Sequence, residues 1–239
     1  MIVAIHQPEY LPWLGFFDKA QQADLFVLLD HVQYRKNYFQ NRNRIRSDQG
    51  SLWLTVPVQT KGRSLQPILE VQIDHAGSPR WREKCWRSIV QHYQKTPFWT
   101  SVAPVLEDFY RKSWEKLAEM NEAIIQRMLQ IFGIPVKVVR SSQMKVDGNS
   151  GDLLVRICQQ VGADTYLSGI SGRDYLDLAA FSRVGIRVEF QDFHHPIYRQ
   201  VYEPFMPCMS GIDLLFHYGP ESLGVLQGKG VKRLEQVFV

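Results

Sequence analysis

The chain opens with four apolar residues, Ile2, Val3, Ala4 and Ile5, that break directly into His6-Gln7-Pro8-Glu9-Tyr10-Leu11-Pro12-Trp13-Leu14-Gly15. Such a run, followed by a proline-stiffened loop and then helix-forming residues, reads as a strand buried on both faces that empties into a rigid loop ahead of a helix. The same device recurs at Leu25-Phe26-Val27-Leu28-Leu29, which ends at Asp30, and at Thr165-Tyr166-Leu167, which ends in Ser168-Gly169. Repetition of strand, loop and helix constrains the chain to an α/β layer. Open sheets of that kind place ligands beyond the carboxyl ends of their strands.

Further strands are expected over 136–139 and 186–190, with helices over 15–22 and 152–161, the last opened by Ser150 and Asp152. Residues 53–58 and 68–73 also read as strands, joined by a polar, glycine-bearing linker over 60–64. From Ser78-Pro79 the pattern turns helical as far as 132, with Pro97 and Pro104 as breaks. Within it Trp86, Ile89, Val90 and Tyr93 fall on one face, as do Leu117, Met120, Ile124 and Leu129, and both stripes read as core. The expected fold is therefore α/β, a Rossmann-like, mostly parallel sheet in a single domain over 1–239. Residues 78–132 form a helical subdomain inserted between its two α/β halves.

A chain of 239 residues with 45% hydrophobic content can bury a sizeable core. No apolar run is long enough to span a bilayer and the first is too short for a signal peptide, so a cytoplasmic protein without membrane insertion is expected. Cys85, Cys158 and Cys208 lack a CxxC spacing and read as reduced thiols. The formal charge of +4 is mild, yet Arg35, Lys36, Arg42, Arg44 and Arg46 crowd into twelve positions. Tyr34, Asn37, Tyr38, Gln40, Asn41 and Asn43 interleave with them. That mixture suits phosphates, carboxylates and flat rings, and a solvated basic loop is its plainer reading.

His6 and Asp30, at strand ends, are the candidate catalytic proton acceptors. Gln7, Tyr10 and Trp13 in the first loop, with Tyr34, Asn41, Arg42 and Arg44 in the basic segment, are candidate substrate-binding residues. A second candidate loop follows Leu167. There Ser168, Gly169, Ser171, Gly172 and Arg173 combine hydroxyls, small residues and a cation at an expected helix start, which describes either a phosphate cradle or an ordinary strand-to-helix turn. The loop matches neither GxGxxG nor GxxxxGK[ST]. No metal site is expected, because His194 and His195, adjacent on an extended segment beside Asp192, point to opposite faces. No GxSxG elbow is present.

Together, His6-Gln7-Pro8, Tyr10-Leu11-Pro12-Trp13-Leu14-Gly15, Asp30-His31-Val32-Gln33-Tyr34, Asn41-Arg42, Tyr166-Leu167-Ser168-Gly169 and Tyr175-Leu176-Asp177 resemble the WbqC-like protein family. Gln191-Asp192-Phe193, His195-Pro196 and Ile212-Asp213-Leu214-Leu215-Phe216 fit the same pattern, so the resemblance covers nearly the whole chain. It adds Gln33, Tyr175 and His195 to the candidate substrate-binding residues. It implies a place among bacterial surface-polysaccharide (O-antigen) genes and a transferase that attaches an acyl group, glycine being the candidate, to a sugar or sugar nucleotide.

The order of strand, proline-rich loop, Gly15, helix and buried strand is also similar to the start of pantothenate synthetase, in the nucleotidylyltransferase superfamily. The HxGH histidines of that superfamily would fall near Pro12 and Phe16 and are not present. This likeness implies a nucleotidyltransferase-type enzyme using a nucleoside triphosphate. The residues name no cofactor outright, and ATP or another nucleotide with magnesium is the candidate. A noncatalytic protein binding RNA or polysaccharide is the third class. The expected partner is a small anionic molecule, a nucleotide or sugar nucleotide, with nucleic acid entering only as an aminoacyl-tRNA donor.

Overall fold

The computed structural model describes residues 1–63, 65–148 and 150–234, with the side chain of Ser150 also outside the description. Ser64, at the end of the expected linker, and the expected role of Ser150 at a helix start therefore lie outside the described residues. In chain order the elements begin with β1 (Ile2–His6), α1 (Leu14–Gln21), β2 (Leu25–Leu28), β3 (Arg42–Ser47) and β4 (Gly50–Thr55). Helices α2 (Trp81–Tyr93), α3 (Trp99–Arg111) and α4 (Leu117–Phe132) follow. The chain continues through β5 (Lys137–Arg140), α5 (Ser150–Gln160), β6 (Thr165–Ser168), α6 (Leu178–Arg183), β7 (Arg187–Phe190), α7 (Ile212–Tyr218) and α8 (Ser222–Leu226).

Five strands form one parallel sheet in the order β5-β2-β1-β6-β7. The chain moves outward from β1 through β2 to β5, then returns to the other side of β1 for β6 and β7. This is a Rossmann-like layer whose strand order reverses between β1 and β6, and the crevice at that reversal lies beyond His6 and Ser168.

Alternation along the central strands supplies two cores. Ala4, Phe26, Leu28 and Leu167 face α1, α2, α3, α4 and α7, where Phe16, Ile89, Leu106, Ile124 and Phe216 are buried. Val3, Ile5, Leu25, Val27 and Tyr166 face the opposite way, onto Leu153, Leu154, Ile157 and Cys158 of α5 and Phe181 of α6. A strand covered on both sides has no polar positions to alternate with, which is why β1 and β2 read as unbroken apolar runs.

Four local expectations need correction. Residues 68–73 are not a strand: Ile68–Glu70 is a 3-10 turn after Pro67. Its amides bond back to the loop beyond β2, Ile68 N–H to Val32 O at 2.9 Å and Leu69 N–H to Asp30 O at 2.8 Å. Ile73 joins no strand: it forms an isolated bridge to Val58, and its amide donates to Glu115 O at 2.9 Å. The second half of the basic segment is not a loop but β3, antiparallel to β4 from Arg42 opposite Thr55 to Ser47 opposite Gly50. Pro104 lies inside α3 rather than breaking it. The amide bond it removes would have gone to the carbonyl of exposed Thr100, which solvent can satisfy. Finally, Arg173 does not start a helix. It belongs to a 3-10 turn over Ile170–Asp174, and α6 begins after Asp177, whose carboxylate accepts the Ala180 amide at 3.1 Å.

Candidate functional site

At the reversal of strand order lies a cavity of about 140 Å³. Its floor is His6 at the end of β1, Glu9 in the loop that follows, and Lys19 in α1, while Trp13, Tyr38, Phe39 and Phe193 contribute aromatic walls. Gly169, Ile170 and Ser171, just beyond β6, close another side with Gln191.

The walls are fixed by edge-to-face packing. The His6 ring meets Phe16 at 5.1 Å, Trp13 meets Phe193 at 5.4 Å, and Tyr38 meets Phe39 at 5.4 Å. Gly15 makes room for the Trp13 wall. A Cβ there would lie 2.4 Å from the Trp13 indole, so any larger residue would displace that wall. Gly172 has a similar role beneath the second loop, where a Cβ would come 2.1 Å from Ser168 Oγ.

The loop from Gln7 to Pro12 is held from three directions. Gln40 Nε2 donates to Gln7 Oε1 at 2.6 Å, and the Tyr10 amide donates to Phe39 O at 3.0 Å. Asn121 of α4 donates to both Pro8 O (3.2 Å) and Gln40 O (2.7 Å), while Asn43 of β3 donates to Tyr10 O (3.2 Å) and Leu11 O (2.8 Å). Leu11 has φ of +44°, a left-handed conformation unusual for leucine that these bonds sustain. From the C-terminal half, the Gly211 amide bonds to Pro12 O at 2.7 Å and the Ser210 amide to Arg44 O at 2.8 Å.

Charge on the floor is unusual. Glu9 is 5% exposed and Lys19 3%, and Glu9 Oε2 is buried without a hydrogen-bond partner. Burial pushes the Glu9 carboxyl up to about 8, opposed by the Lys19 charge. Lys19 is brought down to about 8 by burial, with Glu9 acting in the other direction, and its ammonium donates to Ile5 O at 3.2 Å. Burial and then the Lys19 charge hold His6 well below its ordinary pKa, so the imidazole is neutral at pH 7. His6 Nδ1 lies 3.2 Å from Gln7 O and must donate there, which leaves Nε2 as an acceptor. Glu9 Oε1 is 3.9 Å from the same Nδ1.

Of the residues singled out from sequence, His6, Trp13, Gly169 and Ser171 line this cavity. Others stand elsewhere. Asp30 is buried and accepts from Ser141 Oγ (3.1 Å), the Ser142 amide (2.9 Å) and Ser142 Oγ (2.7 Å), which ties β2 to the turn after β5. Tyr10 is fully buried with its hydroxyl against that of Tyr110. Tyr34 is buried too, its hydroxyl pushed up to about 12 by burial against the opposing charge of Arg42. Gln7 and Asn41 brace loops, Asn41 by donating to Val56 O at 2.9 Å, and Gln33 bridges to Pro67. Ser168 is buried and donates to Gly169 O at 3.1 Å, Gly172 lies within the 3-10 turn, and Arg173 stacks over Phe190 at 5.0 Å. Tyr175 is 64% exposed.

His195 is wholly buried. It donates from Nδ1 to Pro196 O at 2.8 Å and accepts the Cys208 amide on Nε2 at 3.2 Å, and burial lowers its pKa to about 4. Arg42 and Arg44 lie on the β3–β4 hairpin over Trp53. Among the described residues no three His, Cys, Asp or Glu side chains are grouped to hold a metal ion. No helix among them is long and apolar enough to cross a membrane.

Glu9 and Lys19 were not legible as candidates. Glu9 is one polar residue between two prolines, and Lys19 looks like the solvent face of an amphipathic helix. One signal existed: α1 is eight residues long and carries Phe16-Phe17 directly after a buried strand, so seven of its eight positions are buried and a charge on it had little chance of reaching water.

A parallel sheet of this order, with a polar cavity at its reversal, defines a Rossmann-like α/β protein. The chain belongs to the WbqC-like protein family, whose sequence model matches residues 7–225. It is 35% identical over 222 residues to the uncharacterized protein Rv1507c of Mycobacterium tuberculosis, a match that covers 92% of this chain and 95% of that one. No solved structure matches the chain.

Proposed function

We propose that this protein is a transferase of surface-polysaccharide precursor synthesis, attaching an acyl group, with glycine the candidate, to an amino or hydroxyl group of a sugar or sugar nucleotide. The observation that carries the reading is the Glu9 carboxyl group, buried on the floor of the cavity with one oxygen unpartnered beside Lys19 and His6. Buried polar groups are almost always satisfied by the protein, so an orphaned oxygen on a residue that lines a cavity suits a donor brought by a ligand. Pairs of titratable groups drawn towards neutral pH are the usual equipment of acid–base chemistry.

In the proposed reaction the acceptor nitrogen or oxygen bonds to the acyl carbon, and the bond from that carbon to its carrier breaks. The acceptor proton passes to Glu9 Oε2, and Lys19 returns a proton to the leaving group. Neutral His6 accepts a hydrogen bond on Nε2 and orients the acceptor. Trp13, Tyr38 and Phe39 exclude water, and the backbone at Gly169 and Ser171 positions the ring of the substrate.

A thermal-shift screen against sugar nucleotides, nucleoside triphosphates and glycine, with and without magnesium, tests ligand choice, since ligands of the native state raise its melting temperature. Shifts with a sugar nucleotide are expected, followed by acyl transfer in a mass-spectrometric assay. Glu9→Gln and Lys19→Met should each lower kcat by roughly 100-fold or more while the proteins stay folded. Pyrophosphate release from a triphosphate without any acyl donor would establish nucleotidyl transfer instead. Full activity in both variants would refute the assigned roles.

A further inference from the structure

Three arginines alternate along β3, and the structure treats them differently. Arg46 is buried and both its terminal nitrogens are taken by backbone carbonyls, those of Ser47, of Gly50 at 2.7 Å and of Pro204 at 3.0 Å, while its Nε, like those of Arg42 and Arg44, has no acceptor. Arg42 and Arg44 are half-buried and stack on one indole, their guanidinium carbons 4.4 and 5.5 Å from the Trp53 ring centre. Each makes one carbonyl bond through Nη2, to Asn37 and to Cys208. Their Nε atoms are buried without an acceptor, and neither arginine meets a carboxylate among the described residues. The second terminal nitrogen of each has no acceptor among the described residues.

Positions two apart on a strand lie about 7 Å from each other on one face. Two guanidinium groups at that spacing, oriented by the same aromatic surface and not neutralised, suit a group with two negative charges. The surface is continuous with the cavity. Trp53, 41% exposed, meets Phe39 at 5.9 Å, and Phe39 is a cavity wall. A volume of about 140 Å³ is comparable to one that admits a benzene-sized ring. The cavity therefore has room for one ring, and the remainder of any larger ligand must leave across a wall. Over the adjoining Tyr38 wall the charge is positive as well, with Arg35 stacked 4.6 Å from that ring.

We propose that Arg42 and Arg44, held on Trp53, form a phosphate subsite for the diphosphate of a substrate whose ring occupies the neighbouring cavity. The identity of that ring rests on the transferase reading, whereas the phosphate subsite does not. Of the two segments expected to bind anions, the assignment keeps the hairpin and drops the loop around Arg173. The Arg173 guanidinium lies against Phe190, and neither Arg173 nor the two hairpin arginines line the cavity itself, so pyrophosphate binding separates them.

The test is titration of the full chain with inorganic pyrophosphate, followed by calorimetry across a range of salt concentrations. The expected result is binding that weakens at least 10-fold in Arg42→Gln/Arg44→Gln, with unchanged affinity in Arg173→Gln. Because the double variant also removes stacking on Trp53, Arg42→Lys/Arg44→Lys serves as a second variant that keeps the charge. It should retain part of the affinity with circular dichroism unaltered. Absence of pyrophosphate binding to the unaltered protein, equal affinity in the double glutamine variant, or loss in Arg173→Gln would overturn the subsite. Salt-steep binding of a single-stranded RNA with no pyrophosphate binding would also overturn it, in favour of nucleic acid. Pyrophosphate binding lost in the double variant, in a protein that transfers no acyl group, would leave the subsite standing and reject only the transferase reading.

Discussion

Glu9 illustrates how a single residue sets the balance between folding and chemistry at this site. A carboxyl raised by burial to about 8 holds its proton more tightly in the folded chain than in the unfolded one. Stability contributed at that position is therefore greatest near pH 4 and declines as the pH climbs towards 8. Lys19 works in the other direction: lowered to about 8, it loses its proton in the folded chain first, and stability returns between about 8 and 10. Glu9→Gln should be near wild type in stability at pH 5 and more stable by about 2–4 kcal/mol at pH 8. Urea unfolding at a series of pH values measures this, and a difference that does not grow with pH would show that the carboxyl is not buried as a charge. Lys19→Met removes the charge that favours ionised Glu9, so any activity limb near pH 8 should move to higher pH in that variant.

Among the elements, α4 reaches furthest beyond its own packing. Its apolar face fills the core, and its one fully buried amide, Asn121, bonds to the carbonyls of Pro8 and Gln40. Asn121→Leu keeps the bulk and strands both carbonyls, which should cost about 2–3 kcal/mol. The cavity loops should loosen while helix content by circular dichroism is retained, and ligand-induced thermal shifts should shrink. Elements differed in how far they could be read from sequence. Strands β1, β2 and β6 were legible because burial on both faces leaves unbroken apolar runs. Strand β3 was not, because Arg42-Asn43-Arg44-Ile45-Arg46-Ser47 offers one apolar residue in six and buries its polar positions by hydrogen bonding, as Asn43 does, or by stacking. Residues 68–73 failed in the opposite sense: apolar alternation was present, but the Ile68 and Leu69 amides are claimed by the loop after β2 and that of Ile73 by the Glu115 carbonyl. The floor of the site shared the first difficulty, since the environment of Glu9 and Lys19 comes from chain segments far apart in sequence.

At the scale of the whole molecule the site depends on one long-range pairing. Strand β1 bonds to β2 within the first thirty residues, yet its other neighbour is β6, with Ile2 opposite Thr165 and Ala4 opposite Leu167. Residues 1–148 alone would carry β5, β2 and β1 with the apolar edge of β1 unpaired and the α5 side of its core uncovered. That fragment should associate and bind a hydrophobic dye, as light scattering and fluorescence would show, whereas a monomeric fragment that melts cooperatively would mean that the first half is stable without β6. The same pairing bears on how the chain is made. The central strand leaves the ribosome some 160 residues ahead of its partner, so the nascent protein displays an open sheet edge throughout that interval. Such a chain is a natural client for chaperones that shield exposed strands, and its yield in a cell should respond to their supply more strongly than its final stability would suggest.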